Sequence, residues 1–204
     1  LWTADLDGDA RQRPAAVDEI AHRRRSPRTL RERARVAAVV LAAGKSSRMG
    51  ANKLLAEIRG TPMIRHTVEA VAAAAVDRVI VVTGRDAPDV ERALTGLKVD
   101  FIHNQHYAQG LATSLRAGLS ALADADAALV CLGDMPRVRA AQLDRLIAAF
   151  NPDEGRALCV PTWQGKRGNP VLFARRFFAA MAEARGDVGA RHLIGDSAEL
   201  EAEV

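Results

Sequence analysis

The sequence predicts an α/β fold: three layers, with a mostly parallel sheet between helices. Three observations carry this. From Val36 onward, short apolar runs alternate with helical stretches of about a dozen residues, the pattern of strand–helix crossovers. The first apolar run stops at a small-residue loop, Leu41-Ala42-Ala43-Gly44, and the fourth stops at Leu132-Gly133-Asp134-Met135-Pro136. Open α/β sheets bind ligands beyond the carboxyl ends of their strands, so both loops fall where chemistry is expected.

The elements follow in order. Residues 36–41 are apolar throughout, as a buried strand requires. Thr61 and Pro62 read as N-cap and first residue of a helix over 62–75, with Met63, Ile64, Thr67, Val68, Val71 and Ala75 on one face. Further strands are expected at 79–83, 99–102, 127–132, 157–160 and 170–173. Further helices are expected at 87–94, 111–123, 139–150, 174–184 and 188–195, the last capped by Asp187. The position rule then selects the loops after Leu41, Thr83, Ile102 and Leu132. No internal repeat is visible.

Residues 1–35 read as a linker or flexible leader, and 36–204 as the folded domain. Asp5-Leu6-Asp7-Gly8-Asp9 opens like a calcium loop, but Ala10 and Ala16 stand where Gly and Glu are needed. Thr29-Leu30-Arg31-Glu32 has the spacing of a capping box, suggesting a short helix before the first strand. The chain opens on Leu1 and not Met, which leads us to expect an upstream domain of the same polypeptide.

At 204 residues, 49% hydrophobic and 26% charged, the composition is that of a globular protein with a substantial core. No apolar run approaches the ~20 residues of a membrane-spanning helix, and no secretory signal is visible. Cys131 and Cys159 lie in apolar strands and read as buried free thiols, consistent with a cytoplasmic location. The net charge of +4 sits mainly in the leader, where nine Arg face six acids. The folded part therefore carries no footprint for nucleic acid, and neither nucleic acid nor membrane is an expected partner.

The loop after the first strand offers backbone amides, and two cations, Arg48 and Lys53, follow it. Converging amides and positive charge hold a polyphosphate, which points to a nucleotide-using transferase. It is not a P-loop, because Val39 stands where the first glycine belongs, and it lacks the dinucleotide fingerprint. Asp134 supplies one carboxylate at a strand end, enough to hold Mg²⁺ together with nucleotide phosphates. Asn104, Gly110 and Ser114 sit before and within the start of the third helix, whose N-terminus favours polar ligand edges. Lys166, Arg167, Gly168, Asn169 and Pro170 form a cationic, turn-rich loop suited to a phosphorylated acceptor. His103 and His106 lack the third ligand of a zinc site.

Residues 41–50 with Lys53-Leu54-Leu55, then 110–119, 132–136, 165–173 and 186–191, together resemble the MobA-like nucleotidyltransferases. The likeness is nearest to the molybdenum cofactor cytidylyltransferases and spans residues 36–194. It implies a Rossmann-like fold of the nucleotide-diphospho-sugar transferase type. It also implies transfer of CMP from CTP to the terminal phosphate of molybdopterin, with release of pyrophosphate. By resemblance, Leu41, Ala42, Ala43 and Gly44 line the base and phosphate path, and Lys53 contacts the triphosphate. Arg48 lies near the leaving pyrophosphate, Asn104 and Ser114 touch the nucleoside, Asp134 binds Mg²⁺, and 165–170 face the pterin. Ala43 stands where guanylyl-using relatives tend to carry Gly, which favours CTP. A recipient molybdoenzyme is an implied partner. The family pattern continues into another strand and a second metal-binding acid, and this chain ends at 199–204 before such a segment. Two alternatives stay open: a guanylyl- or cytidylyltransferase with another phosphate acceptor, and a non-catalytic carrier of finished cofactor.

Overall fold

The computed structural model describes residues 33–44, 52–186 and 201–203, and its elements lie in the unit Ala34–Val204. In chain order these are β1 (Val36–Leu41), the paired β2 (Glu57–Ile58) and β3 (Thr61–Pro62), α1 (Met63–Ala72), β4 (Arg78–Thr83) and α2 (Ala87–Ala93). Then come β5 (Asp100–His103), α3 (Leu111–Ser120), β6 (Ala127–Leu132), α4 (Ala140–Ala149) and β7 (Leu158–Val160). The paired β8 (Thr162–Trp163) and β9 (Lys166–Arg167), then β10 (Val171–Ala174), α5 (Phe178–Glu183) and β11 (Glu201–Glu203), complete the order.

Seven strands form one sheet in the order β11-β7-β10-β6-β1-β4-β5. Only β10 runs against its neighbours; the other pairings are parallel. The loops after β1, β4, β5, β6 and β7 therefore open on one edge. After β1 the chain lays β4 and β5 on one side, then returns with β6 on the other. That reversal leaves a crevice between β1 and β6, the place an α/β sheet offers a ligand.

Every residue of β1 is buried, and its side chains alternate between two cores. Ala37, Val39 and Leu41 pack with Leu115 and Leu119 of α3 and Met181 of α5. Val36, Ala38 and Val40 pack with Ile64, Val68 and Val71 of α1, Val90 of α2 and Leu143 and Leu146 of α4. A strand covered on both faces cannot show polar alternation, which is why its sequence is uniformly apolar. The start of β1 is tied by Asp126, which accepts the Arg35 N–H at 2.8 Å, and by Asp77, which accepts the Val36 N–H at 2.7 Å.

Several expected boundaries move. Thr61 and Pro62 form β3, opposite Ile58 and Glu57, and α1 starts at Met63 with Pro62 as its N-cap. The Met63 N–H already donates to Ala56 O at 2.9 Å, so the backbone just before β2 supplies the partner that a capping threonine was expected to provide. Ala75 lies past the end of α1 and is exposed. The helix expected over 174–184 is shorter: Ala174 ends β10, Arg175–Phe177 make a 3₁₀ turn, and α5 follows. A strand absent from the sequence reading, β11, pairs in parallel with β7. Three residues of Glu-Ala-Glu carry no periodicity that could announce it. The helix at 188–195, Asp187, Arg191, the 29–32 helix and the acidic run near the start lie outside the described residues.

Cys131 and Cys159 are free and buried, as expected. Burial pushes the Cys131 thiol up to about 12. It pushes Cys159 up to about 11, with the nearby Arg156 charge pulling the other way. Both should resist a thiol reagent until the protein unfolds; modification of the native protein at the unfolded rate would contradict this burial. Raised folded-state values mean that the unfolded chain loses its thiol protons first. This contribution to stability is intact below about pH 9 and is lost as pH rises through 11 and 12. No described helix is long and apolar enough to cross a membrane.

Candidate active site

The crevice is built by loops that lock onto one another. Ala42 N–H donates to Val82 O at 2.9 Å, and Gly133 N–H donates to Leu41 O at 3.0 Å, so the loops after β4 and β6 are fixed to the end of β1. Thr67 of α1, fully buried, donates to Gly133 O at 3.0 Å. A side chain at Gly133 would meet Ile64 Cδ1 at 2.8 Å and Leu41 O at 3.1 Å, so the backbone before Asp134 packs against α1 and β1 at a distance only glycine permits. Asn52 accepts the Leu54 N–H at 3.0 Å and donates to Asp86 Oδ2 at 2.9 Å, joining the loops after β1 and β4.

Lys53 and Asp134, 81 residues apart, meet across this crevice with Nζ 3.2 Å from Oδ2. Their side chains are 53% and 39% exposed. An ion pair this open contributes about 0–1 kcal/mol to stability, so folding gives little reason for it. It leaves a cation and a carboxylate presented together at the switch point. Arg85 follows β4, Arg137 follows β6, and Lys166 and Arg167 follow β7, all exposed on the same edge. Set against Asp86 and Asp134, these cations favour a polyanionic ligand.

Ala42 and Ala43 are buried and Gly44 is exposed, so the loop after β1 rises from the floor of the crevice to its mouth. Ala43 fits because Gly84 faces it. A Cβ at Gly84 would lie 2.9 Å from the Cβ atoms of both Ala43 and Tyr107. Neither atom can rotate away, so Gly84→Ala should destabilise the protein by about 1–3 kcal/mol and weaken nucleotide use. An unchanged denaturation midpoint would remove this close approach from the account.

Asn104 and Ser114 are 4% and 3% exposed. Asn104 donates to Thr113 Oγ1 at 2.9 Å and to Ser114 Oγ at 3.0 Å, and accepts the His106 N–H at 2.9 Å. These side chains tie the loop after β5 to the first turn of α3. Gly110 caps that helix with φ 112°, and the Ala112 N–H donates to Gly186 O at 3.0 Å. The first turn is thus partly engaged by backbone.

Residues 161–170 connect β7 to β10 beside β6, whose Val130 pairs with Val171. Lys166, Arg167, Gly168 and Asn169 are exposed and Pro170 is buried. The structure brings this loop to the same edge as Lys53 and Asp134. Arg48 lies outside the described residues. Sequence reasoning missed Arg85, Arg137 and Trp163; the first two follow strand ends and answer to the same position rule that selected Asp134.

As a Mg²⁺ site the donor set is sparse but of the right chemistry. Asp134 offers hard oxygen at the crevice, and no group of three or more His, Cys, Asp or Glu suited to a metal occurs among the described residues. One carboxylate fits an ion that arrives with a triphosphate and keeps its waters.

Residues 38–202 match the MobA-like NTP transferase domain. The chain is 43% identical over 113 residues to the bifunctional protein GlmU of Agrobacterium fabrum, a match covering 53% of this chain and 25% of that protein. It is 33% identical over 135 residues to the "Probable molybdenum cofactor guanylyltransferase" of Thermococcus sibiricus, covering 65% of each. The chain thus spans about a quarter of the GlmU protein and about two thirds of the guanylyltransferase. Among solved structures, Rv0371c of Mycobacterium tuberculosis superposes with a TM-score of 0.75 at 28% identity, over 85% of this chain and 88% of that one. That mycobacterial protein has also been seen in complex with manganese.

Proposed function

Since the chain belongs to the MobA-like NTP transferase family and is a nucleotidyltransferase of the nucleotide-diphospho-sugar transferase fold, we propose that it transfers CMP from CTP to the terminal phosphate of molybdopterin. The observation that carries the reading is the exposed Lys53–Asp134 pair at the β1–β6 switch point, with Arg85, Arg137, Lys166 and Arg167 exposed in loops on the same sheet edge.

In this reading the triphosphate lies along 41–44, with Lys53 on its phosphates and Arg48 towards the leaving end. Asn104 and Ser114 shape the nucleoside wall. The acceptor phosphate approaches from the side of Lys166, Arg167, Gly168, Asn169 and Pro170. A phosphate monoester is largely dianionic near neutral pH, with a second pKa of about 6, and is already a nucleophile. No general base is required. The acceptor oxygen forms a bond to the α-phosphorus as the bond from that phosphorus to the β-phosphate oxygen breaks, and pyrophosphate leaves. The residues contribute positioning and neutralisation of charge on the departing group. Mg²⁺ held by Asp134 and the triphosphate would add further charge neutralisation at the phosphates.

The preference for CTP rests on Ala43. Its methyl is buried beside Gly84 at the foot of the loop after β1, where by resemblance the guanylyl-using relatives tend to carry Gly. One methyl group is worth about 1–3 kcal/mol of discrimination, so the preference should be marked but not absolute. The guanylyltransferase relative favours the second reading, GTP with the same acceptor. Competition between CTP and GTP for the purified chain, with molybdopterin as acceptor, separates them. Higher kcat/KM for CTP supports the proposal, whereas higher kcat/KM for GTP overturns its base assignment. Turnover only with a different phosphate monoester overturns its acceptor.

A further inference from the structure

Trp163 is 78% exposed, although the ring of a tryptophan is among the largest apolar surfaces a side chain can bury. It stands on the short β8–β9 hairpin, whose two-residue turn is held by Gln164 and Gly165 at φ 50° and 71°. That turn geometry matches the natural twist of a hairpin. The base of the hairpin is closed by Gly168 N–H donating to Pro161 O at 2.8 Å.

The two faces of this ribbon differ. Thr162 is opposite Arg167, and the Thr162 hydroxyl oxygen is buried with no hydrogen-bond partner. Trp163 is opposite Lys166 on the other face, away from the buried hydroxyl. Directly opposite residues place their Cβ atoms about 4.5–5.5 Å apart, so the Lys166 ammonium can reach anything lying on the indole. A solvated aromatic ring with a cation beside it suits a flat ring that is joined to a negatively charged group such as a phosphate.

We propose that Trp163 is a stacking platform for a flat heterocycle borne by the phosphate acceptor, with Lys166 as its electrostatic partner. This rests on the reading that places the acceptor beside the loop after β7. A protein partner fits less well, because an aromatic anchor at a protein interface is ringed by groups that exclude water. Here the neighbours Gln164, Gly165, Lys166, Arg167 and Gly168 are exposed and polar or small. The other large exposed apolar side chain among the described residues, Phe101, lies on β5 at the edge strand of the sheet. It therefore offers no second ring for a shared protein surface.

The chain has two tryptophans, so Trp2→Phe leaves Trp163 as the sole indole for proton NMR. Titration with pterin-6-ylmethyl phosphate should move the Trp163 ring protons upfield, as a stacked ring does. Ribose 5-phosphate, which carries the charge without the flat ring, should not. Trp163→Ala should weaken calorimetric binding of the pterin phosphate by about tenfold or more, and Trp163→Phe should restore most of it. No ring-current shift, or equal binding by all three proteins, overturns the platform. So does a shift that appears with protein concentration alone, which would mark a contact between copies, or one produced by CTP alone, which would assign the ring to the nucleotide. If the shift appears but no acceptor supports pyrophosphate release, the transferase reading fails and the platform stands. If pyrophosphate is released with a pterin acceptor and Trp163→Ala leaves the acceptor KM unchanged, the platform fails and the transferase reading stands.

Discussion

Asp134→Asn is expected to lower kcat at saturating CTP by at least about a hundredfold, the scale seen when a preorganised charge-stabilising group is removed from a phosphate or acyl centre. The replacement keeps shape and removes charge. Its cost to folding should stay small because the pair with Lys53 is open to solvent. Raising Mg²⁺ should recover little, since the amide is a poor ligand for a hard cation. Thermal denaturation and turnover measured on the same preparation check this. An unchanged midpoint with lost turnover is expected; full activity at ordinary Mg²⁺ would remove Asp134 from the chemistry.

Lys53→Ala should act differently. A charge-assisted hydrogen bond is worth about 1.5–3 kcal/mol, which corresponds to roughly 10- to 150-fold in kcat/KM for the nucleotide. Part should appear in the nucleotide KM, because the ammonium meets the triphosphate before and during transfer. The dependence of nucleotide binding on ionic strength should also flatten, since one cation has left the crevice. Steady-state kinetics at two salt concentrations read both effects. Unchanged KM, kcat and salt dependence would take Lys53 out of the site. The helix-like turn it starts, Lys53–Leu55, is held by Asn52 and should survive the change.

Much of this site follows from where residues fall in the chain. Uniform burial of β1 was legible because a strand covered on both faces has no polar alternation, and the loops after Leu41 and Leu132 follow from that. Gly133 and Asp134 stand at the end of an apolar run, where little besides a crevice can lie. The β2–β3 hairpin was not legible, and the turn-rich loop after β7 did not show which residues would pair across its tip. β2–β3 and β8–β9 are ladders of two residues, too short for any period, and their turns depend on Arg59 and Gln164 at positive φ, which no residue type announces.

Polar residues near a ligand site are ambiguous in a different way. Asn104 and Ser114 are spaced as ligand contacts would be, yet their side chains meet each other across the start of α3. Spacing places two polar groups on neighbouring turns but does not say whether they face inward or each other. Trp163 was missed because exposure is not a property of sequence pattern. An aromatic beside a strand reads as core until the hairpin turns it outward.

Arg85 and Arg137 show the limit of reading loops by glycine and carboxylate alone. Both follow strand ends, and both add positive charge to the edge where Lys53 and Asp134 meet. Their contribution depends on the sheet order, which brings the loop after β6 next to the loop after β1 although 81 residues separate Lys53 from Asp134.

The most direct test of nucleotidyl transfer at this crevice is pyrophosphate release from Mg-CTP and Mg-GTP, each with and without molybdopterin. The account predicts release that requires the acceptor, runs faster with CTP, and disappears in Asp134→Asn. Release that is independent of acceptor, or no release with either nucleotide while the cofactor still binds, would contradict it.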